Sequence, residues 1–206
     1  MNVGLYLHIP FCRFKCSYCD FYAYAGMRSL YEPYTHALKS QISRPSGVQS
    51  PIPDFPPFGR PISECAAETI YFGGGTPSLL PLPSLAEILA ACRDTFPVPP
   101  DAEISLEANP GTVDAAYLAG LRALGVNRLS LGAQSAYQAE LDFFKRGHSF
   151  SDAVEAVRLA RAAGFDNLSV DLIYGIPRQT MAMWQETVDR TLALAPDHVS
   201  MYCLTV

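Results

Sequence analysis

The sequence predicts an α/β fold, a βα repeat six strands long, and three observations carry that expectation. Strand-type runs alternate with runs of helical periodicity along nearly the whole chain. Four successive strand candidates share an apolar-Ser-apolar centre. Serine and glycine stand where helix ends need them. Such repeats either close into a barrel or lie open as a doubly wound sheet, and both architectures place function at the carboxyl ends of the strands.

In chain order, the strand-type run "VGLYLHI" precedes the helical run "SLYEPYTHALKSQI", "ETIYFG" precedes "SLAEILAACRDTF", and "EISLEA" precedes "VDAAYLAGLRAL". "NRLSLGA" is followed by "FSDAVEAVRLARAAG", and "NLSVDLIYG" by "TMAMWQETVDRTLAL", with "HVSMYCL" as the sixth strand. Ser151 reads as an N-cap, and Gly125 and Gly164 read as residues just past helix ends. The shared centres are Ile104-Ser105-Leu106, Leu129-Ser130-Leu131, Leu168-Ser169-Val170 and Val199-Ser200-Met201. Strand side chains alternate between faces, so the apolar pairs are expected to pack on helices while the serines point to the other side. Two residues further on, that inner face gains Glu107, Gly132 and then Gln134, Asp171 and Tyr202, a lining suited to a polar ligand.

With 206 residues, about half of them apolar (49%), the chain can bury a substantial core and is read as one domain over 1–206. Between about 43 and 64 it runs "SRPSGVQSPIPDFPPFGRPISE", a Pro-rich insertion unsuited to helix or central strand. A net charge of −5 offers no basic stripe, so no nucleic-acid partner is expected. No apolar run reaches the roughly 18 to 20 residues of a membrane span, and "MNVGLYLHIP" enters the first strand at once, so a cytoplasmic protein is expected. In that compartment Cys65, Cys92 and Cys203 are expected to be free, buried thiols.

The remaining cysteines, Cys12, Cys16 and Cys19, crowd into "HIPFCRFKCSYCDF" with the spacing C-x₃-C-x₂-C. A structural zinc site takes four protein ligands, which here would require His8, Asp20 or a distant cysteine as the fourth. Three thiolates on one loop instead match three corners of a [4Fe-4S] cubane whose fourth iron is left to an exchangeable ligand. His8 reads as a strand residue beside that loop, and His36, His148 and His198 have no metal-ligand spacing. "GGGTP", Gly73 to Pro77, follows the second strand and brings bare backbone to the same end of the sheet.

These stretches, with "LYLHIPFCRFKCSYCDF", "IYFGGGTPSLL", "ISLEANPG", "GVNRLSLGAQS", "FKRGHS" and "DLIYGIPRQT", resemble the radical S-adenosylmethionine (SAM) superfamily. Its signature is C-x₃-C-x₂-C with an aromatic residue before the last cysteine, here Tyr18. Within it, the sequence is similar to oxygen-independent coproporphyrinogen III oxidases and HemW-type heme chaperones. The resemblance implies a partial (β/α)₆ barrel and a [4Fe-4S] cluster on Cys12, Cys16 and Cys19. It also implies SAM at the open iron, cleaved to methionine and a 5′-deoxyadenosyl radical. Tyr6, Gly74 and Glu107 match positions contacting that SAM. Tyr18, Gly75, Thr76, Gln134, Arg146 and Asp171 match positions contacting a second SAM in the oxidase. Heme or a porphyrinogen, an electron donor and respiratory membrane proteins are the implied partners.

Two departures bear on activity. The oxidase pattern has a fourth cysteine two residues past the third, where this sequence has Phe21 within "CDF", the chaperone pattern. The family also continues past the sixth strand into a carboxyl-terminal region, which this sequence is expected to lack. A heme chaperone is therefore the expected function, with the oxidase and a structural metal or interaction module as alternatives.

Overall fold

A computed structural model describes residues 2–43 and 65–205; apart from Ser43, the Pro-rich insertion lies outside the described residues. The main strands are β1 (Asn2–Ile9), β4 (Ala66–Gly74), β5 (Glu103–Ala108), β6 (Arg128–Gln134), β7 (Asn167–Tyr174) and β8 (His198–Cys203). The helices are α1 (Tyr31–Ile42), α2 (Leu82–Thr95), α3 (Ala115–Leu124), α4 (Gln138–Phe143), α5 (Phe150–Ala162) and α6 (Met181–Leu192). Two short strands, β2 (Phe11–Cys12) and β3 (Tyr24–Ala25), form a separate parallel pair.

The six main strands pair in parallel in the order β1-β4-β5-β6-β7-β8. That order never reverses, so the sheet has no switch point and is not doubly wound. Parallel crossovers are right-handed as a rule, and along an unreversed order they put every helix on one face. The sheet is a half-barrel, helices outside and a lined interior within.

Outward strand residues Leu7, Ile9, Ile70, Phe72, Leu106 and Leu131 join Leu85, Leu89, Leu118, Leu121 and Val157 of the helices in one buried cluster. Leu118 is fully buried, and truncating it to Ala would cost about 2–5 kcal/mol through lost transfer energy and the cavity left behind. The serines face inward as expected. Ser105, Ser130 and Ser169 are buried there, and Ser130 bonds the inner-face Asp171.

Three local expectations are corrected. The N-cap of α5 is Ser149, not Ser151: the helix starts at Phe150, so Ser149 and Asp152 close a reciprocal capping box, and Ser151, two residues later, is already inside the first turn. Cys203 is exposed rather than buried, because it ends β8, the edge strand of the sheet, whereas Cys65 and Cys92 are buried. Helix α4 and the β2–β3 pair have no counterpart in the βα reading. Gly125, by contrast, ends α3 in the left-handed conformation at φ +95°, its N–H donating to the carbonyls of Leu121 and Arg122.

Candidate functional site

The sequence places its three close cysteines on the loop after β1, and the fold closes that loop at its base. Cys12 pairs with Ala25 in the β2–β3 ladder, and the Tyr24 N–H donates to the Pro10 carbonyl over 2.7 Å. The tip is tied to α4: Ser17 Oγ donates to the Phe143 carbonyl over 2.8 Å, and the Tyr18 ring packs edge-on against Phe144 with centroids 4.6 Å apart. Cys12, Cys16 and Cys19 are free, partly exposed thiols on the wall of one cavity of about 560 Å³. That volume lies within the usual range for small-molecule sites.

Every other residue expected at the site also lines this cavity, except Tyr6. Tyr6 sits on the inner face of β1 but half-exposed, stacked on Tyr71 with centroids 6.0 Å apart, and its hydroxyl lies 3.2 Å from His8 Nδ1. His8 Nε2 lies 2.9 Å from the Tyr22 carbonyl, so the ring braces the far end of the cysteine loop.

The glycine turn has a reason internal to the protein. Gly74 has φ +110°, and a Cβ there would come within 2.5 Å of the His8 ring. At Gly75 a Cβ would meet the Phe11 and Ile9 carbonyl oxygens at 2.7 and 2.9 Å. Bare backbone thus lets β4 and the cysteine loop close on each other, while both glycines remain on the cavity wall. Next to them Thr76 Oγ1 lies 3.5 Å from Cys12 Sγ. Burial pushes the Cys12 thiol up, the Thr76 hydroxyl opposes the shift, and the neighbouring Cys19 and Cys16 raise it further.

Across the cavity, Glu107 accepts from the Tyr71 hydroxyl over 2.8 Å and from the Gly74 N–H over 3.1 Å. Burial nevertheless holds its carboxyl above the usual range. Asp171 accepts from Ser130 Oγ at 3.0 Å on both carboxylate oxygens and is likewise raised by burial. Arg146 is no solvated surface charge. Its Nη1 reaches Cys16 Sγ and the Tyr18 hydroxyl, each at 3.5 Å, and its Nη2 donates to the Gly132 carbonyl over 3.2 Å. Burial pushes the Tyr18 phenol up to about 12, so that hydroxyl stays protonated at neutral pH.

Two buried polar atoms on this wall, Gln134 Oε1 and Arg146 Nε, have no partner among the described residues. An acceptor and a donor left unpaired beside two carboxyls fit a polar ligand that supplies both kinds of partner. The cysteines fit a thiolate-held cluster, with an N–H and an O–H already aimed at two of the sulfurs. Ser17, Tyr71 and Phe144 were missed in the sequence. Inner-face parity finds Tyr71, two residues from Gly73, but Ser17 and Phe144 act through α4, which carries no periodic signal.

The half-barrel with a cysteine loop over its carboxyl end defines the class. The Radical SAM superfamily profile matches residues 58–191, and the chain belongs to that superfamily. It is 39% identical to the heme chaperone HemW of Synechocystis sp. across 100% of this chain and 48% of that protein. It is also 39% identical to the oxygen-independent coproporphyrinogen III oxidase of Bradyrhizobium diazoefficiens, across 98% of this chain and 42% of that protein. The solved structure of coproporphyrinogen III oxidase (HemN) from Escherichia coli superposes with a TM-score of 0.83 at 29% identity, over 98% of this chain and 44% of that one. The chain spans about half the length of the curated relatives it matches. Superfamily membership implies SAM and a [4Fe-4S] cluster. No helix among the described residues is long and apolar enough to cross a membrane.

Proposed function

We propose that this chain is the SAM-binding core of a heme chaperone, holding a [4Fe-4S] cluster on Cys12, Cys16 and Cys19 and SAM in the cavity beneath them. Three thiolates on one short loop leave a structural zinc ion without its fourth protein ligand, whereas a cubane takes three of them and leaves its fourth iron to an exchangeable ligand. The bound cluster and SAM would supply one-electron chemistry, and the protein's part is to bind, orient and exclude water. Thr76 and Arg146 would stabilise the charge on the sulfurs of Cys12 and Cys16. Glu107, Gln134 and Asp171 would take the polar groups of SAM, with Gly74 and Gly75 bringing backbone close and Tyr18 closing the side under the loop. Tyr6 would act from below, through Tyr71 and Gly73.

The observation that favours chaperone over oxidase is Phe21. Chaperone and oxidase relatives stand at equal identity, so overall similarity does not choose between them. At the position where the oxidase pattern carries its fourth cysteine, the cavity mouth presents an exposed aromatic ring that neither ligates a cation nor exchanges a proton. Heme is the proposed cargo, an external reductant the electron source, respiratory membrane proteins the recipients and the cytoplasm the location. Anaerobic reconstitution followed by iron, sulfide and zinc analysis tests the centre. About four irons per chain are expected, lost with Cys12→Ala, Cys16→Ala or Cys19→Ala. Stoichiometric zinc without iron would return the structural-metal reading.

A further inference from the structure

β6 ends in an unusual bend. Its pairing with β7 shifts register between Gly132 and Gln134, and Gln134 has φ +62° although it is not glycine. The Ser135 N–H donates back to the Ala133 carbonyl over 2.9 Å, which makes Gln134 the centre of a γ-turn, a conformation that persists only where its surroundings enforce it. The turn aims the Gln134 amide into the cavity, and Gly132 leaves room for it: a Cβ there would lie 2.6 Å from Gln134 Nε2.

Beside the turn lies a buried acid that is outside the cavity. Glu140, on α4, is almost wholly buried, and its Oε2 accepts from the Ser135 hydroxyl and from Gln179 Nε2 at 3.2 Å. Ser135 Oγ in turn accepts the Tyr137 N–H over 3.0 Å, and Gln179 Oε1 accepts the Gly175 N–H over 2.9 Å at the end of β7. One carboxylate oxygen therefore ties together the γ-turn, α4 and the loop after β7. The other end of α4 carries the Phe143 carbonyl and Phe144 that hold the cysteine loop.

We propose that Glu140 is a positioning residue that locks the Gln134 γ-turn through Ser135 and so sets the cavity wall against the cysteine loop. This rests on the cavity being the SAM site. Burying an acid with its second oxygen, Oε1, unpartnered among the described residues is unfavourable, and the three elements it joins account for its being there.

The experiment compares wild type, E140A, E140Q, S135A, Q134A and the double variant Q134A/E140A, each reconstituted anaerobically. Deuterium uptake is read on the peptide covering 133–137, with the α2 peptide as an internal control. E140A and S135A should exchange about tenfold faster across the turn, the scale of one lost hydrogen bond to a charged group, with α2 unchanged. E140Q, whose carbonyl still accepts both bonds but without the charge, should exchange clearly more slowly than E140A, between it and wild type. SAM affinity by equilibrium dialysis should fall about tenfold in E140A and Q134A, with no further loss in the double variant, because Glu140 acts through Gln134. Wild-type exchange in a folded E140A or S135A, or affinity losses that add in the double variant, would overturn the proposal. If wild type takes up no SAM, the SAM reading falls, and the exchange comparison still decides whether Glu140 locks the turn. S135A, the milder change, carries the comparison should E140A fail to fold.

Discussion

Arg146 Nη1 stands 3.5 Å from both Cys16 Sγ and the Tyr18 hydroxyl, joining the segment after α4 to the cysteine loop across 130 residues of sequence. A cation donating to a sulfur favours the electron-rich, reduced state of a cluster held there. Arg146→Ala should therefore lower the cluster's reduction potential by about 60 mV, a tenfold change for a one-electron couple. An anaerobic redox titration followed by electron paramagnetic resonance checks this, and an unchanged potential would remove Arg146 from the cluster's surroundings.

His148 gives the protein an acid-side weakness. Its ring is buried, with Nε2 donating to the Ala133 carbonyl over 3.4 Å, and burial together with the nearby Arg146 charge lowers its pKa from 6.5 to about 4. Between those values the unfolded chain binds a proton that the folded chain refuses, so stability from this residue is present above pH 6.5 and is lost as pH falls through 4. The full effect is on the order of 3 kcal/mol. Thermal unfolding between pH 7 and 4 should show a steeper loss in wild type than in His148→Gln.

Gly74→Val should destabilise the fold itself. The left-handed φ costs about 1–3 kcal/mol for a non-glycine residue. A side chain 2.5 Å from the His8 ring adds overpacking of about the same size. A drop in melting temperature is the expected result, and an unchanged one would mean that His8 and β4 relax freely. Thr76→Val exchanges only the hydroxyl facing Cys12 for a methyl group and is the cleaner probe of the cavity, expected to leave the melting temperature unchanged.

Under the chaperone reading, a full-length protein carrying this core should bind heme and still give no sustained conversion of coproporphyrinogen III to protoporphyrinogen IX, because Phe21 offers no thiol at the cavity mouth. An anaerobic assay with reductant, SAM and substrate decides this. Sustained turnover would move the assignment to the oxidase.

Much of this was legible in the sequence because period-2 strands and 3.6-period helices each leave a local trace. Ser105 and Glu107, or Ser169 and Asp171, announce an inner face by parity alone. The C-x₃-C-x₂-C spacing likewise marks, within eight residues, three thiols that the fold brings to one cavity wall. Helix α4 was not legible, since six residues are too few for a periodic signal. The left-handed Gln134 was hidden for a related reason: its conformation is imposed by Glu140 and Ser135 through space, not by its own preference. Cys203 misled because residue type predicts burial only where a strand is covered on both sides.

The unreversed strand order leaves β1 and β8 as the two borders of the sheet. β8 reads HVSMYC, without Lys, Glu, Asp or Pro, and its Met201, Tyr202 and Cys203 are exposed. Among the described residues this border carries none of the charges or prolines that discourage a neighbouring strand from extending the ladder. A strand that pairs with it, from the same protein or from another chain, would extend the parallel order beyond six.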